Sequence, residues 1–397
     1  MHVLLVCHHY PPEVGAPQRR WNAFVREWRR QGVDVTVVTS LPHYPLGRLL
    51  PGERVAELLG RRIGQHGETV IRLPFLRVGG RGGALKLGDQ AFVAMLSAIA
   101  GSVVSRPDLV VTSIPGPFSL AAGDWLAARW RIPHIVELRD AWPDLLFEGS
   151  PGSVRIPSTF GTWMTARQRR ADAVVTVTRT FGEVLASRGI HPGRIHHIPN
   201  GIDIAQVPTL TAPDMDRRPL RVLYLGTHGI SQGLESAVQA LAAVTRPIEA
   251  RFIGEGTEKA RLVALAEQLS APIAFHPPVV GDALWDAYAW ADTCLVHLAD
   301  WPSFRFTVPS KLYEVMAAGR HVTGALAGEA ADIVRRAAGG AVVEPGRPEQ
   351  LAALLQRMTE TRQQTVVGTG PREWVESHYD LTALAETFRS LIERVAT

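Results

Sequence analysis

The chain has 397 residues, 46% of them hydrophobic and 20% charged, with 42 Lys and Arg against 38 Asp and Glu. That length exceeds one ordinary core, so two domains of about 200 residues each are expected. A formal net charge of +4, with a pI near 9.3, is too small an excess to imply a nucleic-acid partner, and no aromatic–basic RNA motif is present.

The chain opens on a strand, Val3–Val6. No basic leader with an apolar stretch and cleavage site precedes it, so no signal peptide is expected. Cys7 and Cys294 each sit in an apolar run. They read as buried thiols of a reducing compartment, neither a disulfide nor a metal pair. The expected location is cytoplasmic, with weak peripheral contact at the inner membrane face left open.

The loop after the first strand runs His8-His9-Tyr10-Pro11-Pro12-Glu13-Val14-Gly15-Ala16-Pro17. Its prolines fix its course, Gly15 admits close approach of a ligand, and Pro17 suits the first turn of a helix. It could line a site or be an ordinary connection. The helix that follows carries Trp21, Phe24, Val25 and Trp28 on one face, with Arg19, Arg26, Arg29 and Arg30 mostly opposite. A basic amphipathic helix can lie on an anionic membrane, but a stripe of this kind more often covers a sheet.

Further strands are expected at Val33–Thr39, Leu109–Ser113, Ile135–Leu138, Val174–Thr178, Arg221–Leu225, Ala250–Ile253, Cys294–Leu298, His321–Gly324 and Ala341–Glu344. Helical patterns separate most of them, which is the signature of parallel sheets covered on both faces. The run Ala91–Val104 is too short to span a bilayer and reads as a core helix. Gly79–Gly83 reads as a mobile surface connection or a flap over an acceptor. Pro208–Pro219, with three prolines and two acids, is the expected linker. The architecture is therefore α/β, two Rossmann-like domains facing across a cleft. The domains are expected at residues 1–207 and 208–380.

The most informative stretch is Arg305 to Gly319, which passes from an irregular loop into an apolar helix. Backbone N–H groups at a helix start attract anions, and Arg305, Ser310 and Lys311 add charge and a hydroxyl for phosphate. Glu314, about one turn inside, can accept hydrogen bonds from sugar hydroxyls. Two strand-end turns are also compatible with phosphate or base: Gly226-Thr227-His228-Gly229 and Gly254-Glu255-Gly256. The first lacks the Gly-Lys-Ser/Thr ending of a P-loop. Arg139-Asp140 closes the fourth expected strand; it reads either as a structural ion pair or as an acceptor-orienting carboxylate beside a phosphate-facing cation.

No metal constellation is apparent, so no metal or other cofactor is expected. The one acid-x-acid pair considered, Asp214 and Asp216, falls in the linker. No Gly-x-Ser-x-Gly elbow provides a nucleophile.

With these residues in view the chain resembles the retaining GT-B glycosyltransferases of family four, bacterial polysaccharide and glycolipid type. The resemblance runs over nearly the whole length. Its pieces include His9-Tyr10-Pro11-Pro12-Glu13-Val14-Gly15, Arg139-Asp140-Ala141-Trp142-Pro143, Pro199-Asn200-Gly201-Ile202-Asp203 and the Gly226–Gly233 turn. Others are Ile253-Gly254-Glu255-Gly256, Pro309-Ser310-Lys311, Gly328-Glu329 and Glu344-Pro345-Gly346.

The resemblance implies a nucleotide-sugar donor bound by the domain at 208–380, a carbohydrate, glycolipid or small-molecule acceptor on the side of the domain at 1–207, and a helix at 381–397 that packs back on the first domain. Glu314 would take the ribose, and Arg305, Ser310, Lys311 and Gly226–Gly229 the diphosphate. Turns near Gly254 and around Val279 (Pro278 to Gly281) would hold the base, and Gly15 would close on the donor. Asp140 would orient the acceptor, and Arg139 stands where a donor-sugar contact, often His, is found. The domains would close over the donor and limit hydrolysis. Departures are Phe306, where many relatives carry the first of two Glu residues, and Gln232, where many carry a cation. The Pro-Ser-Lys variant suggests a UDP-linked N-acetylamino sugar. A non-hydrolysing nucleotide-sugar epimerase and a non-catalytic sugar-nucleotide binder are the alternatives.

Overall fold

The computed structural model describes residues 1–43, 47–76, 83–114, 117–140, 158–214, 216 and 219–397. The chain divides into two compact units, Met1–Gly201 with Leu381–Thr397, and Ile202–Asp380. The division at Gly201 precedes the Pro208–Pro219 stretch, which belongs to the second unit.

Unit 1 runs through β1 (His2–Cys7), α1 (Ala16–Arg30), β2 (Asp34–Ser40), α2 (Val55–Leu58), β3 (Gly60–Ile63), β4 (Thr69–Leu73) and α3 (Gly83–Ser102). It continues through β5 (Leu109–Ile114), α4 (Pro117–Trp130), β6 (His134–Leu138), α5 (Ser158–Arg170), β7 (Ala173–Thr176), α6 (Arg179–Ser187) and β8 (Ile195–His197). The sheet order is β3-β4-β2-β1-β5-β6-β7-β8. Every pair is parallel except β3 with β4. β1 can occupy the centre because Val3, Leu4, Leu5 and Val6 are apolar on both faces, as a strand covered on both sides requires.

Unit 2 contains β9 (Leu220–Leu225), α7 (Glu235–Ala243), β10 (Ile248–Ile253), α8 (Lys259–Gln268), β11 (Ile273–His276), α9 (Asp282–Trp290) and β12 (Thr293–His297). Then come α10 (Ser310–Ala317), β13 (His321–Ala325), α11 (Gly328–Arg336), β14 (Gly340–Val343), α12 (Pro348–Glu360) and α13 (Gly370–Tyr379). Its all-parallel sheet is ordered β11-β10-β9-β12-β13-β14, a doubly wound arrangement whose order reverses between β9 and β12. The chain enters and leaves this unit side by side. Ile202 N–H donates to Tyr379 O at 2.9 Å, and the Tyr313 and Tyr379 rings meet at 4.3 Å.

The last helix, α14 (Leu381–Ala396), belongs to unit 1. It explains the apolar stripe of α1. Trp21, Phe24 and Trp28 are fully buried around Phe388, at ring separations of 5.9, 5.8 and 5.5 Å. Trp28 also donates its indole N–H to Ala385 O at 2.9 Å. That face is used by the protein's own core and is not offered to a membrane.

Cys7 and Cys294 are free and buried. Among the described residues no helix is long and apolar enough to cross a membrane. The strands absent from the sequence reading are β3, β4, β8 and β11, which are short and lie at or next to sheet edges. Gly79–Gly82 and Ala141–Pro143 lie outside the described residues.

Candidate functional site

In a doubly wound sheet the loops at the carboxyl ends of the strands gather where the order reverses. In unit 2 this brings two expected turns into contact. Gly226 N–H donates to Ile253 O at 3.0 Å and His228 N–H to Glu255 O at 2.8 Å. A Cβ on Gly254 (φ +153°) would lie 1.8 Å from Gly226 O, and one on Gly256 would lie 2.2 Å from His228 O. Only glycine allows such backbone approach. Lys259 pins the pair from below: its Nζ donates to Gly254 O at 2.9 Å, His276 O at 3.2 Å and Glu255 Oε1 at 2.6 Å.

The first turn differs from its expected chemistry. Three of its amides are already engaged, that of Gly229 with Gln232 Oε1 at 3.2 Å. The His228 ring is fully buried against Tyr224, Phe252 and Phe275. Burial, with Lys259 adding to it, pushes its pKa down to about 4. Neither ring nitrogen has a hydrogen-bond partner among the described residues. His228 is therefore a neutral support beneath the turn and not a side-chain donor on its open face. Thr227 is the exposed residue there, its carbonyl fixed by the Tyr224 hydroxyl at 2.7 Å.

The turn is joined to the segment beyond β12. Ala299 N–H donates to Ser231 O at 3.0 Å, and Gly233 (φ +61°) lies close against Ala299. That segment enters a short 3-10 turn, Pro302–Phe306. Arg305 is exposed and Phe306 half-buried. The Arg305 carbonyl packs on Gly328 (φ +58°), where a Cβ would be 2.1 Å away.

Pro309 then caps α10 and Ser310 begins it, with no side-chain cap. Its first amides are thus available to an anion. Glu314, one turn on, is buried, and its Oε1 accepts from the Tyr288 hydroxyl at 2.6 Å and from Lys311 Nζ at 2.7 Å. Lys311 therefore shares its charge with Glu314. Tyr288, fully buried on α9, is itself held: Arg320 Nε donates to its carbonyl at 2.8 Å. Val279 is half-buried in the loop that ends at Gly281 (φ +61°), the residue before α9. Tyr288, Lys259 and Arg320 carry no motif; only their place behind the turns reveals them.

The remaining expected residues are in unit 1. Gly15 caps α1 with extended backbone, and a Cβ there would lie 2.5 Å from Gln18 Oε1. Arg139 is buried and donates to Asn200 Oδ1 at 2.8 Å. Burial lowers its pKa to about 10, with Glu137 opposing. Asp140 is exposed, and no ion pair links it to Arg139 among the described residues. The ion pair beneath this strand end is instead Arg20 with Glu137, 2.8 Å apart and fully buried. Ser113 donates to the other Glu137 oxygen at 2.7 Å, and Arg20 reaches Ile198 O at 3.0 Å and Pro199 O. Asp214 accepts from the Asp216 amide at 3.0 Å, a local turn contact.

Residues 15–201 match the family described as Glycosyl transferase 4-like domain. Residues 219–361 match the one described as Glycosyl transferases group 1. WcaI of Escherichia coli K12, named as a colanic acid biosynthesis glycosyl transferase, is 26% identical over 405 residues, covering 96% of this chain and 97% of WcaI. The fold is similar to that of HepE from Anabaena, solved in complex with UDP-glucose, with a TM-score of 0.72 at 17% identity over 99% of this chain and 100% of HepE. Sucrose-phosphate synthase from Thermosynechococcus elongatus superposes with a TM-score of 0.76 at 17% identity, over 99% and 98% of the two chains.

Proposed function

The chain belongs to the glycosyltransferases of GT-B fold, and we propose that it moves a sugar from a nucleotide-diphosphate donor to an acceptor hydroxyl with retention at the anomeric carbon. The observation that carries the donor half is the Glu314 cluster. A carboxylate buried one turn inside α10 and held by Tyr288 and Lys311 would accept from vicinal ribose hydroxyls while the start of the same helix meets the diphosphate. HepE, a structural neighbour, was solved with UDP-glucose. Together with the Pro309-Ser310-Lys311 start, this favours a UDP-linked donor, an N-acetylamino sugar among the candidates. Val279 and the Gly254 turn, with Glu255 at its tip, would take the base; Thr227 and the amides at the head of α10 would take phosphate oxygens.

In the proposed step the anomeric C–O bond to the diphosphate breaks and a new C–O bond forms to the acceptor oxygen on the same face. The departing phosphate oxygen receives the acceptor proton, so no protein nucleophile is required. Charge developing on the leaving diphosphate is offset by Arg305, Lys311 and the amides of α10, the kind of preorganised electrostatic term that dominates such reactions. On this account the diphosphate needs no metal. Asp140, exposed at the end of β6, is the residue proposed to orient the acceptor hydroxyl. Arg139, tied to Asn200, supports that strand end from within.

The test is a screen of nucleotide sugars against simple acceptors, with the anomeric configuration of the product read by NMR. A product of the same configuration as the donor supports the reading. Inverted product, or conversion of the donor without any acceptor, overturns it.

A further inference from the structure

Three buried side chains converge in unit 1 that the donor chemistry does not use. His8 follows β1, His43 lies just beyond β2 and Asp89 is in α3. His8 Nε2 stands 3.5 Å and His43 Nε2 3.8 Å from the same carboxylate oxygen, Asp89 Oδ2. The three ligand atoms lie within 4.8 Å of one another.

The surroundings fix where the His43 proton sits. Its Nδ1 faces acceptors, Leu41 O at 2.8 Å and Glu13 Oε1 at 3.8 Å. Ser40 Oγ, 3.3 Å from the same nitrogen, is 2.8 Å from His8 O and donates to it. The ring proton therefore belongs on Nδ1, and Nε2 points a lone pair at the Asp89 oxygen. That leaves an imidazole lone pair and a carboxylate oxygen facing the same buried space, with the His8 ring nitrogen beside them, the donor set of a divalent-ion site.

The outer contacts are those that orient metal ligands. Asp89 Oδ1 accepts from the Leu76 amide at 2.7 Å. The His43 ring stacks on Phe75 at 4.2 Å. A tetrahedral ion with ligands near 2.1 Å sets neighbouring ligand atoms roughly 3.4 Å apart, close to the two separations seen here.

We propose that His8, His43 and Asp89 form a binding site for a zinc-class divalent ion, two imidazoles and one carboxylate with a fourth position open to water or a ligand. Imidazole and carboxylate together select Zn²⁺, Co²⁺, Ni²⁺ or Cu²⁺ over Mg²⁺ and Ca²⁺. The ion would staple the loop after β1 to the end of β2 and to α3.

The experiment uses the full chain, stripped with chelator and titrated with Co²⁺ while the visible d–d absorption is followed, then with Zn²⁺ as competitor. One Co²⁺ per chain with the intense bands of a four-coordinate ion, displaced by Zn²⁺ and not by Mg²⁺, is the expected result. His43→Gln and Asp89→Asn should each weaken binding by at least about 100-fold, exceeding the loss typical of outer contacts, and should abolish the rise in melting temperature that Zn²⁺ gives the wild type. The absence of such a spectrum in the wild type overturns the proposal, whatever the variants do. So does Co²⁺ binding that survives both substitutions. Because the wild-type spectrum decides alone, the test stands even if a variant fails to fold, and its outcome is independent of whether UDP binds.

Discussion

Replacing Glu314 by Ala removes the acceptor on which the ribose assignment rests. A hydrogen bond to a charged group contributes about 1.5–3 kcal/mol, so UDP affinity should fall about 10- to 150-fold. The protein itself also suffers. Tyr288, fully buried, loses the partner of its 2.6 Å hydroxyl bond, at a cost of about 1–3 kcal/mol. Lys311, only partly buried, can turn to water. Glu314→Gln separates the two effects: it keeps an acceptor for Tyr288 and removes the charge, so it should recover most of the stability but only part of the affinity. Calorimetric titration with UDP, and melting with and without it, give the readouts. At a UDP concentration about 100 times the wild-type Kd, the wild type gains about 2.7 kcal/mol; a variant bound 30-fold more weakly keeps about 0.9 kcal/mol. If UDP stabilises wild type, Ala and Gln variants equally, Glu314 does not hold the ribose. A wild type that binds ADP or GDP in preference to UDP would leave the ribose contact and refute the uridine choice.

Other changes probe the scaffold. Gly254→Ala drives a Cβ to 1.8 Å from Gly226 O, so it should separate the two strand-end turns and cost about 3 kcal/mol or more along with UDP binding; a variant that melts and binds like wild type contradicts the close approach. Arg20→Met leaves Glu137 charged and unpaired in the core, and urea unfolding should show a loss of about 3–5 kcal/mol. Phe388→Ala empties the space among Trp21, Phe24 and Trp28 and should cost about 3–5 kcal/mol; a small loss would mean α14 is not part of that core. Burial holds His134 and His297 at pKa values of about 4, His297 against an opposing hydrogen bond to the Gln232 carbonyl, below the 6.5 of the unfolded chain. The unfolded state then binds more protons between these values. Stability should be intact above pH 6.5 and fall toward pH 4, by up to about 3 kcal/mol per imidazole. Equal urea midpoints at pH 7.5 and pH 5 would refute this.

The doubly wound plan was legible because its central strands are runs such as Val3–Val6 and Val222–Leu225, apolar on both faces. The edges were not. β4 carries Arg72, a buried guanidinium that donates to Ser40 O at 3.2 Å; a charge inside a short run masks a strand whose tertiary partners satisfy it. β8 reads Ile195-His196-His197, too brief for any periodicity. The glycine turn at 254–256 could be read, because a Cβ on Gly254 or Gly256 would lie 1.8 or 2.2 Å from the backbone of the 226–229 turn, which demands glycine. The direction of a side chain could not. His228 belongs to a polar turn in sequence yet turns inward to Phe252 and Phe275. Tyr288, the partner of Glu314, lies on another helix with nothing local to mark it. The grouping of His8, His43 and Asp89 likewise arises from three separate elements and has no spacing signature.

Whether the carboxyl ends of the unit 2 strands hold a nucleotide diphosphate is decided by hydrogen–deuterium exchange of the full chain with and without UDP. UDP should slow exchange in three stretches, 226–232, 253–259 and 305–315, and Glu314→Ala should diminish the effect at matched UDP concentration. Bound UDP that slows exchange elsewhere while leaving those three stretches unchanged would contradict that placement.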